Sequence, residues 1–261
     1  MKSWTAPILC MTLILAGAAA EAQTLKPFGK PSRAESTDII TEPATTPPAA
    51  PTLLQALAAS DDTILLIWED KATNESGYKI EGRAASQATF TEIGTIPSNR
   101  AGVFIGDLDP GVTYFFRVRA VNDQGNSAYT NVASDTTLLS NQPCTASATA
   151  MCLNGNRFLV QAMFLTSQGQ QNGDAKTVKL TDDSGYLWFF NASNIEAVVK
   201  VLNGCTSTGF YWVFAGGLTD VRVVLAVTDT QTGEVAGYAN PLGEPFQPIQ
   251  DTQALDSCPV P

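Results

Sequence analysis

The sequence contains no histidine. That absence removes the usual general base, so neither a Ser-His-Asp nor a Cys-His mechanism can be assembled. It also lacks the G-x-x-x-x-G-K-[ST] loop that cradles phosphates and the G-x-S-x-G turn that presents a nucleophilic serine. Cations are scarce: 15 Lys and Arg stand against 25 Asp and Glu, for a net charge of −10. With no run of Lys and Arg there is no surface to release counterions, so nucleic acid is not an expected partner. Cysteine is sparse as well, five residues in all, and no pair has the C-x₂-C spacing of a zinc site. No cofactor is implied by any of these patterns.

What the chain does have begins with an export signal. Lys2 precedes an apolar stretch holding Ile8, Leu9, Met11, Leu13, Ile14 and Leu15, which closes on Ala20-Glu21-Ala22. This pattern is a secretory signal peptide over residues 1–22, cleaved after Ala22. The apolar run is shorter than the ~20 residues that cross a bilayer, so no membrane span is expected after cleavage. Cys10 lies inside that run, where a lipid-modified cysteine would have to follow it, which argues against lipidation. The other cysteines, Cys144, Cys152, Cys205 and Cys258, are expected to form two disulfides in an oxidising compartment. Four thiols allow three pairings. Tying the ends of the domain together favours Cys144 with Cys258, leaving Cys152 with Cys205. Residues 23–50 are rich in Pro, Thr, Ala and Glu and poor in large apolar side chains, the composition of a disordered linker.

From residue 51 to 138 the hydrophobic period becomes two. Ile64, Leu66 and Trp68 share one face of a strand; Tyr78 and Ile80 share another, with Lys79, Glu81 and Arg83 opposite. In TYFFRVRAVN, Tyr114, Phe116, Val118 and Ala120 alternate with Phe115, Arg117 and Arg119. Half-buried antiparallel strands produce this alternation, and the intervening Asp109-Pro110-Gly111 and Asn122–Asn126 segments are turn signals. The early Trp68, the strand GYKIEGR and the run LDPGVTYFFRVRAVNDQGNSAYTN resemble a fibronectin type III module, a β-sandwich. The resemblance implies that Trp68 packs between the sheets and that Tyr114 forms a corner bonded back toward the backbone near Leu108. All three are then structural residues. The integrin-binding Arg-Gly-Asp tripeptide of that family is absent; the loop reads Phe104-Ile105-Gly106-Asp107.

Residues 141–261 form a second unit whose apolar runs, among them RFLVQAMFL, GYLWFF, IEAVVKVL, FYWVFAGG and VRVVLAV, are short and rich in Val and aromatics. Turn-forming segments such as DDSG and DTQTGE separate them. Six or seven strands without a long helix predict a second disulfide-bonded sandwich or small barrel, so the fold class is all-β. The runs LTDDSGYLWFF, WVFAGGLTDVRVVLAVTDT and YANPLGEPFQPIQDT resemble a segment near the C-termini of secreted bacterial proteins. That resemblance implies architecture and compartment but no activity.

Two groups of side chains invite a functional reading. Asp182, Asp183, Asp220, Asp229 and Glu234 could supply a carboxylate pair for glycoside hydrolysis, and Asp182, Asp183, Ser184 and Asp220 could offer oxygens to calcium. All lie in apparent turns, where Asp ordinarily bonds nearby backbone, and catalysis is not expected. The aromatics are more informative. Tyr186, Trp188 and Phe190 alternate with Leu187 and Phe189, and Phe210, Trp212 and Phe214 alternate with Tyr211 and Val213. With both faces of each strand apolar, either the strands are covered on both sides or one face is a stacking surface, with Tyr186, Trp188, Tyr211 and Trp212 as its members. The sequence therefore predicts a secreted, non-catalytic binding, adhesion or scaffold protein. Its partner would be an extracellular protein or polysaccharide, and a carbohydrate-active component and a structural envelope protein are the alternatives.

Overall fold

The computed structural model describes residues 25–27, 45–166 and 171–258. The expected signal peptide lies outside them, as does most of the expected linker. Every regular element among the described residues is a strand, and every pairing is antiparallel.

The first unit is a two-sheet sandwich. One sheet has the order β1 (Leu25–Pro27), β6 (Gly102–Ile105), β3 (Ile64–Glu69) and β2 (Thr52–Ala58). The other runs β5 (Thr91–Pro97), β4 (Gly77–Ala84), β7 (Thr113–Asn122) and β8 (Gly125–Asn126), with β9 (Ala133–Thr136) also pairing β7. Strand β1 lies within residues 23–50, where three residues extend an existing sheet edge. Composition misses this, since an edge can recruit a strand through backbone bonds alone. Between the sheets sit Ile64, Leu66, Trp68, Tyr78, Ile80, Phe116 and Val118, all fully buried. The alternation read in TYFFRVRAVN is the observed one: Tyr114, Phe116, Val118 and Ala120 point inward.

The second unit is also a sandwich, with more strands than the runs suggested because two apolar stretches are flanked by short edge pieces. Its first sheet is β10 (Met151–Leu153), β11 (Phe158–Leu165), β17 (Arg222–Asp229) and β18 (Val235–Asn240), with β12 (Asn172–Asp174) also on β11. Its second is β13 (Lys176–Lys179), β14 (Ser184–Trp188), β15 (Ala197–Asn203), β16 (Tyr211–Gly217) and β19 (Ile249–Leu255). Gly233, at φ 77°, closes the hairpin between β17 and β18, donating its N–H to the Asp229 carbonyl at 2.8 Å. The core joins Phe158, Val160, Leu187, Val199, Val201, Val213, Leu225 and Val227.

The disulfides are Cys144–Cys152 and Cys205–Cys258, not Cys144–Cys258 and Cys152–Cys205. Each pair joins neighbours across a short gap: Cys144 packs beside Cys152 and Leu159, and Cys258 follows β19 next to the loop that precedes β16. The ends of the domain are thus not tied to each other.

The two sandwiches share a dry seam. Leu57, Leu65 and Ile67 of the first pack on Met163 and Val224 of the second, with Phe104 at the margin. Polar groups seal it. Thr228 donates to the Ala59 carbonyl at 2.6 Å. The Arg222 guanidinium donates to the carbonyls of Trp68, at 2.8 Å, and Ala101. Burial pulls Arg222 down from an ordinary 12.5 to about 10, against the opposing field of Asp70. Strands β3, β11 and β17 are therefore apolar on both faces for one reason: one face serves a core and the other the seam.

Candidate functional site

The outward face of the β13–β14–β15–β16–β19 sheet is built by simple alternation. On β14, Leu187 is buried while Tyr186 and Trp188 are half-buried on the outer side. On β16, Tyr211, Val213 and Ala215 turn inward and Trp212 and Phe214 outward. Between them β15 buries Ala197, Val199 and Val201 and exposes Val198 and Lys200. Register aligns these positions across the strands: Val178, Tyr186, Val198 and Gly216 form one row, and Ser184, Lys200, Phe214 and Gln250 the next. Lys176 lies opposite Trp188, and Leu202 opposite Trp212.

Rigidity comes from specific contacts. The Trp212 indole donates through Nε1 to Thr208 Oγ1 at 2.7 Å. Its ring lies where a Cβ on Gly204 would be, so that glycine cannot be replaced without moving the indole. Trp212 and Phe214 meet edge to face, with ring centroids 6.3 Å apart, an arrangement that favours a fixed geometry. A Cβ at Gly216 would meet no atom within 4 Å, so this position leaves a shallow open floor between the aromatics. Val198, 48% exposed, adds an apolar centre.

Of the four aromatics proposed from sequence, three lie on this face: Tyr186, Trp188 and Trp212. Tyr211 does not. It is buried on the inner side, its ring 4.6 Å from that of Phe158, and its hydroxyl accepts from Arg157 Nη1 at 2.8 Å. The four-aromatic set mixed two faces of β16, because Tyr211 and Trp212 are adjacent and strand neighbours must point apart. Phe214, Val198 and Lys200 were missed as members. The alternation in AVVKVLN carries the signal for the latter two, since placing Val199 and Val201 inside puts Val198 and Lys200 outside. Phe190 shares its parity with Trp188 but falls just past the end of β14, where it meets Phe164 and Phe189 edge to face.

Four of the five candidate carboxylates bond other groups, and for Asp220 the bond shown is to its backbone carbonyl. Asp229 is fully buried and accepts from Arg157 Nε and Nη2 at 3.0 and 2.6 Å, while Arg157 also donates to the Ser257 carbonyl. Asp182 accepts from Lys179 at 2.8 Å and from the Gly155 N–H, bonds that hold its carboxyl below the usual range. Asp183 bonds the Thr181 hydroxyl, which likewise lowers it. Glu234 accepts from the Asp256 N–H at 3.0 Å, and Asp220 offers its carbonyl to the Gly243 N–H at 2.8 Å. Among the described residues no three His, Cys, Asp or Glu side chains converge as a metal site would require.

In the first unit, Trp68 is fully buried beside Tyr78, and the Tyr114 hydroxyl accepts from the Asp109 N–H at 3.0 Å, next to buried Leu108. The outer face of β4 and β7 carries an interleaved ladder. Arg117 lies over Phe90 and Tyr129, Arg83 over Phe90 and Phe115, and Glu81 accepts from Arg117, Arg119 and Tyr129. Burial pushes the Glu81 carboxyl up, but the bonds from Tyr129 and Arg117 outweigh it and leave the group below its ordinary range.

Residues 49–136 match the fibronectin type III domain family. Over 87 residues the chain is 31% identical to Titin of Drosophila melanogaster, an alignment covering 32% of this chain and 0%, to the nearest per cent, of that protein. The chain thus spans a negligible part of that relative's length. Among solved structures, the crystal structure of FN3tt is similar at 27% identity and a TM-score of 0.31, over 36% of this chain and 97% of that one. The solution structure of the fn3 domain of human collagen alpha-1(XX) chain is similar at 18% identity and a TM-score of 0.34, over 41% of this chain and 99% of that one.

Proposed function

Taking residues 49–136 as a fibronectin type III domain, we propose that the protein is a secreted, non-catalytic binding component that recognises polysaccharide through the outer face of its C-terminal sheet. One observation carries the reading: Tyr186, Trp188, Trp212 and Phe214 stand half-exposed on a single open sheet face while the opposite face of the same strands is core. Aromatic faces on a flat, fixed surface suit the apolar faces of sugar rings. The type III domain, fused through the seam, acts as a rigid spacer that holds this face away from the linker. Two disulfides support an oxidising, extracellular setting, and no helix among the described residues is long and apolar enough to cross a membrane.

The test is a pull-down of the purified protein on a panel of insoluble polysaccharides, repeated with Trp188→Ala and Trp212→Ala after their melting curves confirm folding. Wild type should be retained by at least one polymer, and each folded variant should lose at least about tenfold in affinity, or ~1.4 kcal/mol. Equal retention of folded variants and wild type would overturn the assignment of the face. Retention by no polysaccharide would overturn the ligand class.

A further inference from the structure

The four aromatics do not form a patch; they form a line. Trp188 and Tyr186 occupy successive outward positions of β14. Phe214 and Trp212 continue on β16, but one and two rows further along the sheet, because Tyr186 is level with Gly216 and Ser184 with Phe214. From Trp188 to Trp212 is six residues along the strand direction, ~20 Å, and two strands across, ~9.5 Å, so the stripe is oblique and roughly 22 Å long. A single monosaccharide or a compact ligand would use only a fraction of it. An extended linear chain would use it all.

The line crosses β15 between Val198 and Lys200, and this crossing decides the charge of the ligand. Lys200 is the exposed cation at the midpoint, its side chain 48% accessible. Its ammonium forms an exposed ion pair with Asp183 at 3.8 Å, a contact too long for a hydrogen bond, so a ligand carboxylate seated closer would compete for its donors. The outward strand positions of β13 to β16 hold two lysines, Lys176 and Lys200, and no carboxylate; the acid beside them is Asp183, in the turn before β14. In a protein of net charge −10, such a face is arranged for an anion.

We infer that the ligand is a linear acidic polysaccharide, lying obliquely from Trp188 to Trp212 with a uronate carboxylate seated on Lys200. The inference rests on the proposed function above and narrows its ligand class. Stacking holds each ring by its apolar face and leaves a carboxylate at the ring edge, where a lysine standing beside the line, and not beneath it, reaches it. Long-range repulsion from the acidic remainder of the protein is screened beyond ~8 Å at physiological ionic strength, so it does not prevent this local pairing.

The experiment compares polygalacturonate with neutral hydroxyethylcellulose at ~0.15 M salt by affinity electrophoresis, using the full mature chain, Lys200→Gln and Trp188→Ala. Calorimetry with a ladder of oligogalacturonides accompanies it. Wild type should bind polygalacturonate at least about tenfold more tightly than the neutral polymer. Lys200→Gln should remove most of that preference while melting as wild type, and affinity should rise with oligomer length until the stripe is filled. Equal binding of both polymers, with Lys200→Gln neutral and Trp188→Ala still harmful, would overturn the acidic ligand and leave the polysaccharide platform standing. Maximal affinity for a monosaccharide would overturn the linear site. Binding of neither polymer overturns this inference; the insoluble panel above then tells whether the platform reading falls with it.

Discussion

Replacing Met163 with Asp should uncouple the two sandwiches. Met163 is fully buried on the seam side of β11, against Leu57, Leu65 and Ile67 of the first sandwich and beside Val224. Burial of side chains of this size contributes ~1.5–3 kcal/mol each, so the five together supply on the order of 10 kcal/mol, an upper estimate before ordering costs. An aspartate there loses the methionine contribution and places an unpaired carboxylate in an apolar contact beside Arg222, which is already bonded to two carbonyls. A penalty of ~3–5 kcal/mol is expected, capped at the energy that couples the domains. Differential scanning calorimetry reads it directly. Wild type should unfold in one cooperative transition; Met163→Asp should unfold in two, the first ~6–20 °C lower, since 1 kcal/mol moves a chain of this size by ~2–4 °C. Met163→Leu, which preserves volume, should stay within ~1.5 kcal/mol of wild type. Two independent transitions in the wild type, or a Met163→Asp variant that melts with it, would refute the fused architecture.

Three further outcomes follow from the same contacts. Asp229→Ala strands the Arg157 guanidinium and should cost ~3–5 kcal/mol in urea denaturation, whereas Arg157→Met with Asp229→Leu should recover much of it. Removing Cys205–Cys258, which closes a separation of 53 residues, should destabilise by ~4 kcal/mol; removing Cys144–Cys152, with a separation of 8, should cost only ~2.5 kcal/mol, the two compared by denaturant midpoint. Glu81 has its folded-state value depressed, so its stabilisation is in place above the ordinary carboxylate range near 4.5 and is lost as pH falls through the depressed value. Glu81→Gln should therefore be less stable than wild type at pH 7 and nearly equal to it in strong acid, as measured by melting temperature against pH.

How much of this was legible in the sequence depended on whether a residue's partner lay within its own strand pattern. Alternation placed Tyr114, Phe116 and Val118 inside and Arg117 and Arg119 outside, because local geometry alone decides it. The same rule exposed Trp188 and Trp212, yet Tyr211 was grouped with Trp212, its neighbour on the opposite face. In ILLIWE, Leu65 and Ile67 lie on the face opposite Ile64, Leu66 and Trp68. Only the second domain accounts for them, through Met163 and Val224, and no periodicity carries a contact between units. Disulfide pairing was equally out of reach: the distance from Cys205 to Cys258 is set by how β16 and β19 pair, which nothing local encodes. Asp229 looked like a turn carboxylate and is instead a buried ion-pair partner of Arg157, 72 residues away.

The claim on which the functional account stands is that ligand lies on the outer sheet face and nowhere else. Three of the four tryptophans lie among the described residues, and their indole N–H resonances form a ready-made map. Trp188 and Trp212 are half-exposed on that face, and Trp68 is sealed in the other sandwich. Titration with the bound polysaccharide's oligomers should shift the Trp188 and Trp212 signals together and saturably while Trp68 stays fixed. Saturable binding that leaves both outer indoles unmoved would contradict the account.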